Sequence, residues 1–230
     1  MNRLIILGFG SLAFGLSMAT VVGGLAKNLG QRRGYPRKVF HLGIFIGAVP
    51  ALLFGGFWGA VLFGGVISVI VLVALWCGPG LPLFSALARG EEGTDARQSI
   101  LGPLISTALG GAASVLLVGR FAVVGFLVCG LGDAAGEPVG QAWGRHPFRG
   151  YPWADGAPTR TLEGSLAVFG AGTVGAAVAL GLLGVSTVEV FGVGLACGAT
   201  GAVAEGLSGK GSDNFWIQVI PSLMAWWLVG

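Results

Sequence analysis

The chain has 230 residues, 54% of them hydrophobic and 10% charged, with a formal net charge of +3 and a mean hydropathy of +0.84. A soluble globular domain carries about a quarter charged residues, so the composition excludes one and indicates an integral membrane protein. The 44 glycines are the small residues that let helices approach closely in lipid, while Cys77, Cys129 and Cys197 lack the spacing of a zinc site or redox dithiol and read as buried small hydrophobes.

Apolar stretches follow one another at 4–26, 37–54, 57–77, 99–118, 121–143, 161–184, 187–206 and 214–229. Most approach the about 20 residues that a spanning helix needs. The first has a long apolar run, lacks a clear small-x-small cleavage site and is followed by a basic segment, so a retained helix is expected, not a signal peptide. Because the stretches are continuously apolar and do not alternate, lipid-facing barrel strands are not expected. The expected fold is therefore all-α, a polytopic transmembrane bundle of about eight spans forming a single domain over 1–230. Placing eight spans alternately puts eleven of the 13 Lys and Arg residues on one face and leaves Arg3 and Arg120 on the other. The positive-inside rule makes the rich face cytoplasmic, with loops near 27–38, 78–98, 144–160 and 207–213 and both termini on the opposite side. A re-entrant segment near 81–87 would break this alternation.

Three polar constellations share the expected cytoplasmic face. In Tyr35-Pro-Arg-Lys-Val-Phe-His41, Pro36 suits a first helical turn, where its missing N–H would be unpaired anyway. Arg37, Lys38 and His41 recur at spacings of three and four, on one helical face. They could hold a phosphate chain or form a stop-transfer cluster with a hydrogen-bonded His41. Further on, Asp133, Glu137 and Gln141 form a stripe at the end of an apolar span, and a carboxylate there is costly enough to mark a functional site by default. Gly132, Gly136, Gly140 and Gly144 make a smooth ridge beside it, where another backbone or a ligand can approach. Pro138 should bend the helix or free carbonyls nearby. Two hard oxygen ligands one turn apart suit Mg²⁺, which commonly takes one or two carboxylates and completes its shell with water and phosphate. In the third, Thr161, Gly164 and Ser165 open a helix whose N–H groups and dipole favour anions. Arg160 adds a fixed positive charge for phosphate oxygens. Tyr151 and Trp153, in the linker before it, read as interfacial aromatics, as do Trp226 and Trp227 near the end of the chain. Glu91, Glu92, Asp95 and Arg97 read as a solvated loop, and Glu189 as interfacial.

The run Asp133-x-x-Gly136-x-x-x-Gly140-x-x-x-Gly144, followed by Arg160-Thr-Leu-Glu-Gly164, resembles the nucleotide-binding signature of the dolichol kinase and phytol kinase family. Arg37-Lys38-x-x-His41 is similar to that family's early Arg-Lys-x-x-His, and Glu205 with Ser212-Asp213-Asn214 to its late Glu and Asp-Asn elements. The order is kept from residue 37 to 214. Gly136 stands for the usual Ala and Arg160 for Lys, the stretch from Gly144 to Arg160 is longer than in dolichol kinases, and Pro221 follows Asn214 at a distance of seven residues instead of closely.

The resemblance implies a membrane kinase that phosphorylates an isoprenoid alcohol, typically with CTP as donor. It further implies Asp133 and Glu137 on Mg²⁺, with Asp213 and Asn214 approaching from the last helix, and Arg37, Lys38, Arg160 and Lys210 clamping phosphates. Glu163, Glu205 or His41 would accept the alcohol proton. The expected partners are a lipid alcohol, a nucleotide and the bilayer, with no nucleic acid. The lipid would enter sideways between helices at the cytoplasmic side of a prokaryotic plasma membrane. No run of Walker type is present, which excludes a P-loop kinase. A phosphatidate cytidylyltransferase would share CTP, Mg²⁺ and a lipid acceptor, but the Gly-His-Gly-Gly-x-x-Asp-Arg-x-Asp pattern is lacking. A cation or proton transporter would place its acids nearer the midplane and show an inverted repeat.

Overall fold

The computed structural model describes residues 2–29, 34–88, 95–150, 160–209 and 211–230. Among these lie helices α1 (Asn2–Leu29), α2 (Tyr35–Cys77), α3 (Pro82–Leu87), α4 (Ala96–Val118), α5 (Ala122–Trp143), α6 (Leu162–Leu182), α7 (Thr187–Leu207) and α8 (Asp213–Val229). Strands β1 (Pro147–Phe148) and β2 (Arg160–Thr161) pair antiparallel in the linker between α5 and α6. Among the described residues the all-α expectation holds apart from this short ladder. Five stretches, Arg3–Asn28, Tyr35–Gly80, Ala96–Trp143, Leu162–Leu182 and Thr187–Leu207, are long and apolar enough to cross a membrane. The chain forms two compact units, Met1–Ala108 and Leu109–Gly230.

In the first unit, α2 begins after its N-cap Gly34, at a left-handed φ of 64°, and Pro36 occupies its first turn as its ring geometry favours. The helix is broken at Gly56, at φ 59° and ψ −151°, a region essentially reserved for glycine. Beyond this break the chain folds back. A Cβ on Gly59 would strike the Ala51 carbonyl, and one on Gly47 would lie 2.7 Å from the Phe63 ring. Helix α1 runs along both limbs, with Phe14 against Gly47 and Met18 against Gly43 on the first, and Gly8 against Leu62 and Gly15 against Ile67 and Ile70 on the second. The expected loop at 78–98 contains α3, whose Leu83, Phe84, Ala86 and Leu87 are buried in one cluster with Val22, Phe40 and Ile67. At six residues the helix is far too short to span, so its apolar side chains serve the core.

The second unit is built on glycine seams. Gly132 and Gly136 of α5 face Val168 of α6, and Cβ atoms placed on Gly140 and Gly164 would meet each other's Cα atoms at 3.6 and 3.4 Å. Farther along, Gly175 meets the Leu127 carbonyl, so α5 and α6 are antiparallel. Gly198 of α7 lies on Phe169 and Thr173 of α6. Helix α8 crosses back over both neighbours: the Cys197 thiol donates to the Pro221 carbonyl at 3.5 Å, and the Gly125 N–H to Ser222 Oγ at 3.1 Å. Side chains any larger would separate these backbones, which in lipid are held by close van der Waals packing. The antiparallel order has a direct consequence. The end of α5, the start of α6, the end of α7 and the start of α8 all lie at one end of this unit.

Candidate active site

That shared end carries most of the polar residues singled out from the sequence. Arg160 on β2 is their centre: its Nη1 donates to Glu205 Oε1 at the end of α7, and its Nη2 stands 3.6 Å from Asp213 Oδ2 at the start of α8. Glu205 is 7% exposed, and a carboxylate so enclosed is tolerated only when paired. Residues 45 and 53 positions beyond Arg160 thus meet it through one guanidinium, whose planar fork can address two carboxylates at once. The hairpin supports this arrangement. Phe148 pairs with Arg160 in the ladder, its ring lies beneath Gly206, and Gly150 leaves room for the Arg160 stem.

Thr161 is the N-cap of α6, its Oγ1 accepting from the Gly164 N–H at 3.1 Å, as a threonine at this position favours. The Leu162 N–H donates to the His146 carbonyl at 3.0 Å. Two amides at the start of α6 are therefore engaged within the chain, and Arg160 adds a fixed positive charge beside them. Ser165 Oγ is buried one turn into α6 with no hydrogen-bond partner among the described residues. Gly136, Gly140 and Gly144 face α6, against Val168, Gly164 and Thr161 respectively. The close approach their ridge permits is made by a neighbouring backbone.

Asp133 and Glu137 lie half-buried on α5, and Gln141 Nε2 donates to Glu137 Oε1 at 3.2 Å, so the expected stripe exists as a continuous face. Asp133 stands one turn beyond Cys129, whose thiol lies 3.9 Å from Asn214 Oδ1. Asn214 is buried, and its carbonyl accepts from Gln218 Nε2 at 2.7 Å, one turn along α8. Among the described residues no three His, Cys, Asp or Glu side chains gather as a metal cage. Arg37, Lys38 and His41 belong to the first unit, where Lys38 is buried and the His41 ring lies edge-on to Phe45 at 4.8 Å. Lys210 lies outside the described residues, as do Tyr151 and Trp153.

One contact at this end had no counterpart in the sequence reading. Glu163 of α6 reaches back to the linker, its Oε1 2.7 Å from His146 Nδ1 and its Oε2 accepting from the His146 N–H at 3.3 Å. The available signal was thin: His146 is one of two histidines and lies between the two halves of the glycine-rich signature.

The chain is 30% identical over 192 residues to the phytol kinase of Synechocystis sp., an alignment covering 83% of this chain and 77% of that protein. No family model matches the chain. No solved structure matches it either.

Proposed function

The chain belongs to the phytol/polyprenol kinase family, and from that premise we propose that it transfers the γ-phosphate of CTP to the hydroxyl of an isoprenoid alcohol such as phytol, farnesol, geranylgeraniol or dolichol. The observation that carries the reading is the meeting of Arg160, Glu205 and Asp213 at the end of the second unit where Asp133 and Glu137 also lie. Phosphoryl transfer requires positioning and charge neutralisation more than covalent chemistry, and this end supplies both signs of charge.

Asp133 and Glu137, one turn apart on α5, fit Mg²⁺ by their donor chemistry: two hard oxygen ligands are what such an ion commonly draws from a protein, and a larger cage is not required. Asp213, on α8, stays beside Arg160 and does not gather with them into a three-carboxylate cage. An ion held there would supply charge neutralisation for the phosphate oxygens. Arg160 binds the same oxygens, exchanging a carboxylate for phosphate at one arm of its fork, with Thr161, Gly164 and Ser165 framing the corner. The 46-residue and 48-residue apolar stretches would each cross the membrane twice. Together with α8 this makes eight crossings, with both termini outside and the site on the cytoplasmic side of a plasma membrane.

Purified protein given CTP labelled at the γ-phosphorus and a panel of phytol, farnesol, geranylgeraniol, polyprenol and diacylglycerol tests the reading. The expected result is label on an isoprenoid alcohol with release of CDP. Release of pyrophosphate with a CDP-linked lipid would instead identify a cytidylyltransferase and overturn it. An Asp133→Asn variant should lose at least about 100-fold in kcat, the scale on which removal of a charge-stabilising group acts; full activity would remove Asp133 from the metal site.

A further inference from the structure

A histidine on a protein surface ordinarily turns freely, but His146 is held at three points. Its carbonyl accepts the Leu162 N–H at 3.0 Å, its N–H donates to Glu163 Oε2 at 3.3 Å, and its Nδ1 lies 2.7 Å from Glu163 Oε1. The same carboxylate thus grips the residue by backbone and by ring. The ring side chain is nevertheless 70% exposed, against 24% for Glu163. A carboxylate acts only as an acceptor, so this contact places the proton on Nδ1 and turns the Nε2 lone pair outward. Among the described residues Nε2 has no partner.

We propose that His146 is the general base of the transfer, with Glu163 as the positioning residue that fixes its tautomer and orientation. The inference rests on the kinase reading above and moves the proton acceptor away from Glu163, Glu205 and His41. Glu205 is already ion-paired with Arg160, and Glu163 is committed to the ring. The surroundings suit the role: the linker meets α6 at the polar end of an apolar helix, where an amphiphilic alcohol presents its hydroxyl. Nε2 takes the hydroxyl proton as the alcohol oxygen bonds to the γ-phosphorus. The bond from that phosphorus to the bridging oxygen breaks, CDP leaves with the electron pair, and the imidazolium returns its proton to water. Among the described residues the charged group against the ring is Glu163 on α6, and Arg145 and Arg149 lie near His146 along the chain. Glu163 offsets the positive charge that forms on the ring.

The test uses the full-length protein in detergent with CTP and phytol. A His146→Ala variant should lose about 10²–10⁴-fold in kcat, the usual worth of a general base, with KM for CTP little changed and with partial recovery on adding imidazole. Glu163→Gln should lose activity without imidazole rescue. Nitrogen NMR of the two histidine rings, with the His146→Ala spectrum for assignment, gives a readout independent of turnover. The wild type should show a proton on Nδ1 of His146, and Glu163→Gln should shift that population toward Nε2. An active wild type beside a fully active His146→Ala variant would overturn the base while leaving the kinase standing. Loss of activity that imidazole does not restore would assign His146 a structural role and overturn it equally. A wild type that phosphorylates no alcohol in the panel would overturn both readings together.

Discussion

Arg160 shows how much one side chain can organise. It joins β2, α7 and α8 by addressing Glu205 and Asp213 together, a task for a planar fork and not for a point charge. Lysine retains the charge but reaches one carboxylate at a time. Arg160→Lys should therefore keep the fold, raise KM for the nucleotide several-fold and lower kcat, measured as CTP-dependent phosphorylation; unchanged kinetics would show that the guanidinium geometry is irrelevant. Glu205 presents the opposite case. Its removal would leave a largely enclosed guanidinium short of a partner, at a cost on the order of 3 kcal/mol. Sequence supplied the identities of these residues but not their pairing, because partners 45 and 53 positions apart meet only after α6, α7 and α8 have packed. His146 escaped for the same reason: nothing local distinguishes it, and its role emerges only when Glu163 lies opposite.

At the level of elements, the seam between α5 and α6 is where a small change is most visible. A Cβ on Gly136 would overlap Val168 Cγ2, while one on Gly164 would lie 3.0 Å from the Gly136 carbonyl oxygen. Overpacking of this kind costs about 1–3 kcal/mol, against the about 1 kcal/mol by which alanine exceeds glycine as a helix former. Gly136→Ala should lower the thermal midpoint in detergent, and Val168→Ala in the same chain should recover part of the loss. Simple additivity of the two changes would rule out the contact, since touching residues couple by about 0.5–3 kcal/mol. The helices themselves were legible. Hydropathy marks each apolar run, and the interruption between 37–54 and 57–77 coincides with the turn at Gly56. Helix α3 and the β1–β2 ladder were not, since six and two residues are too few to establish a period. The glycine ridge announced a close approach, but repeat spacing alone does not say whether backbone or ligand makes it.

Among the described basic residues, Arg3 lies near one end of α1 and Arg120 in the turn between α4 and α5, while Lys27, Arg37, Lys38, Arg97, Arg145, Arg149 and Arg160 lie in other connections and helix ends. If the positive-inside rule sets the orientation, alkaline phosphatase fused after Gly230 should be active in a bacterial host, and fusions within 207–213 inactive. The reverse pattern would turn the whole assembly over and place the Arg160 corner away from cytoplasmic nucleotide. The tightness of the α5–α6 seam also bears on where a long hydrocarbon tail can rest. With Gly140 and Gly164 backbone to backbone, no corridor for an alkyl chain opens between those two helices, and forcing one would pull the Thr161 cap away from Gly140 and Gly144. An acceptor using this corner must keep its tail out of that seam, so selection for chain length falls to side chains elsewhere, and substitutions that widen or narrow those surfaces can alter which alcohols are accepted without disturbing the phosphate-handling machinery.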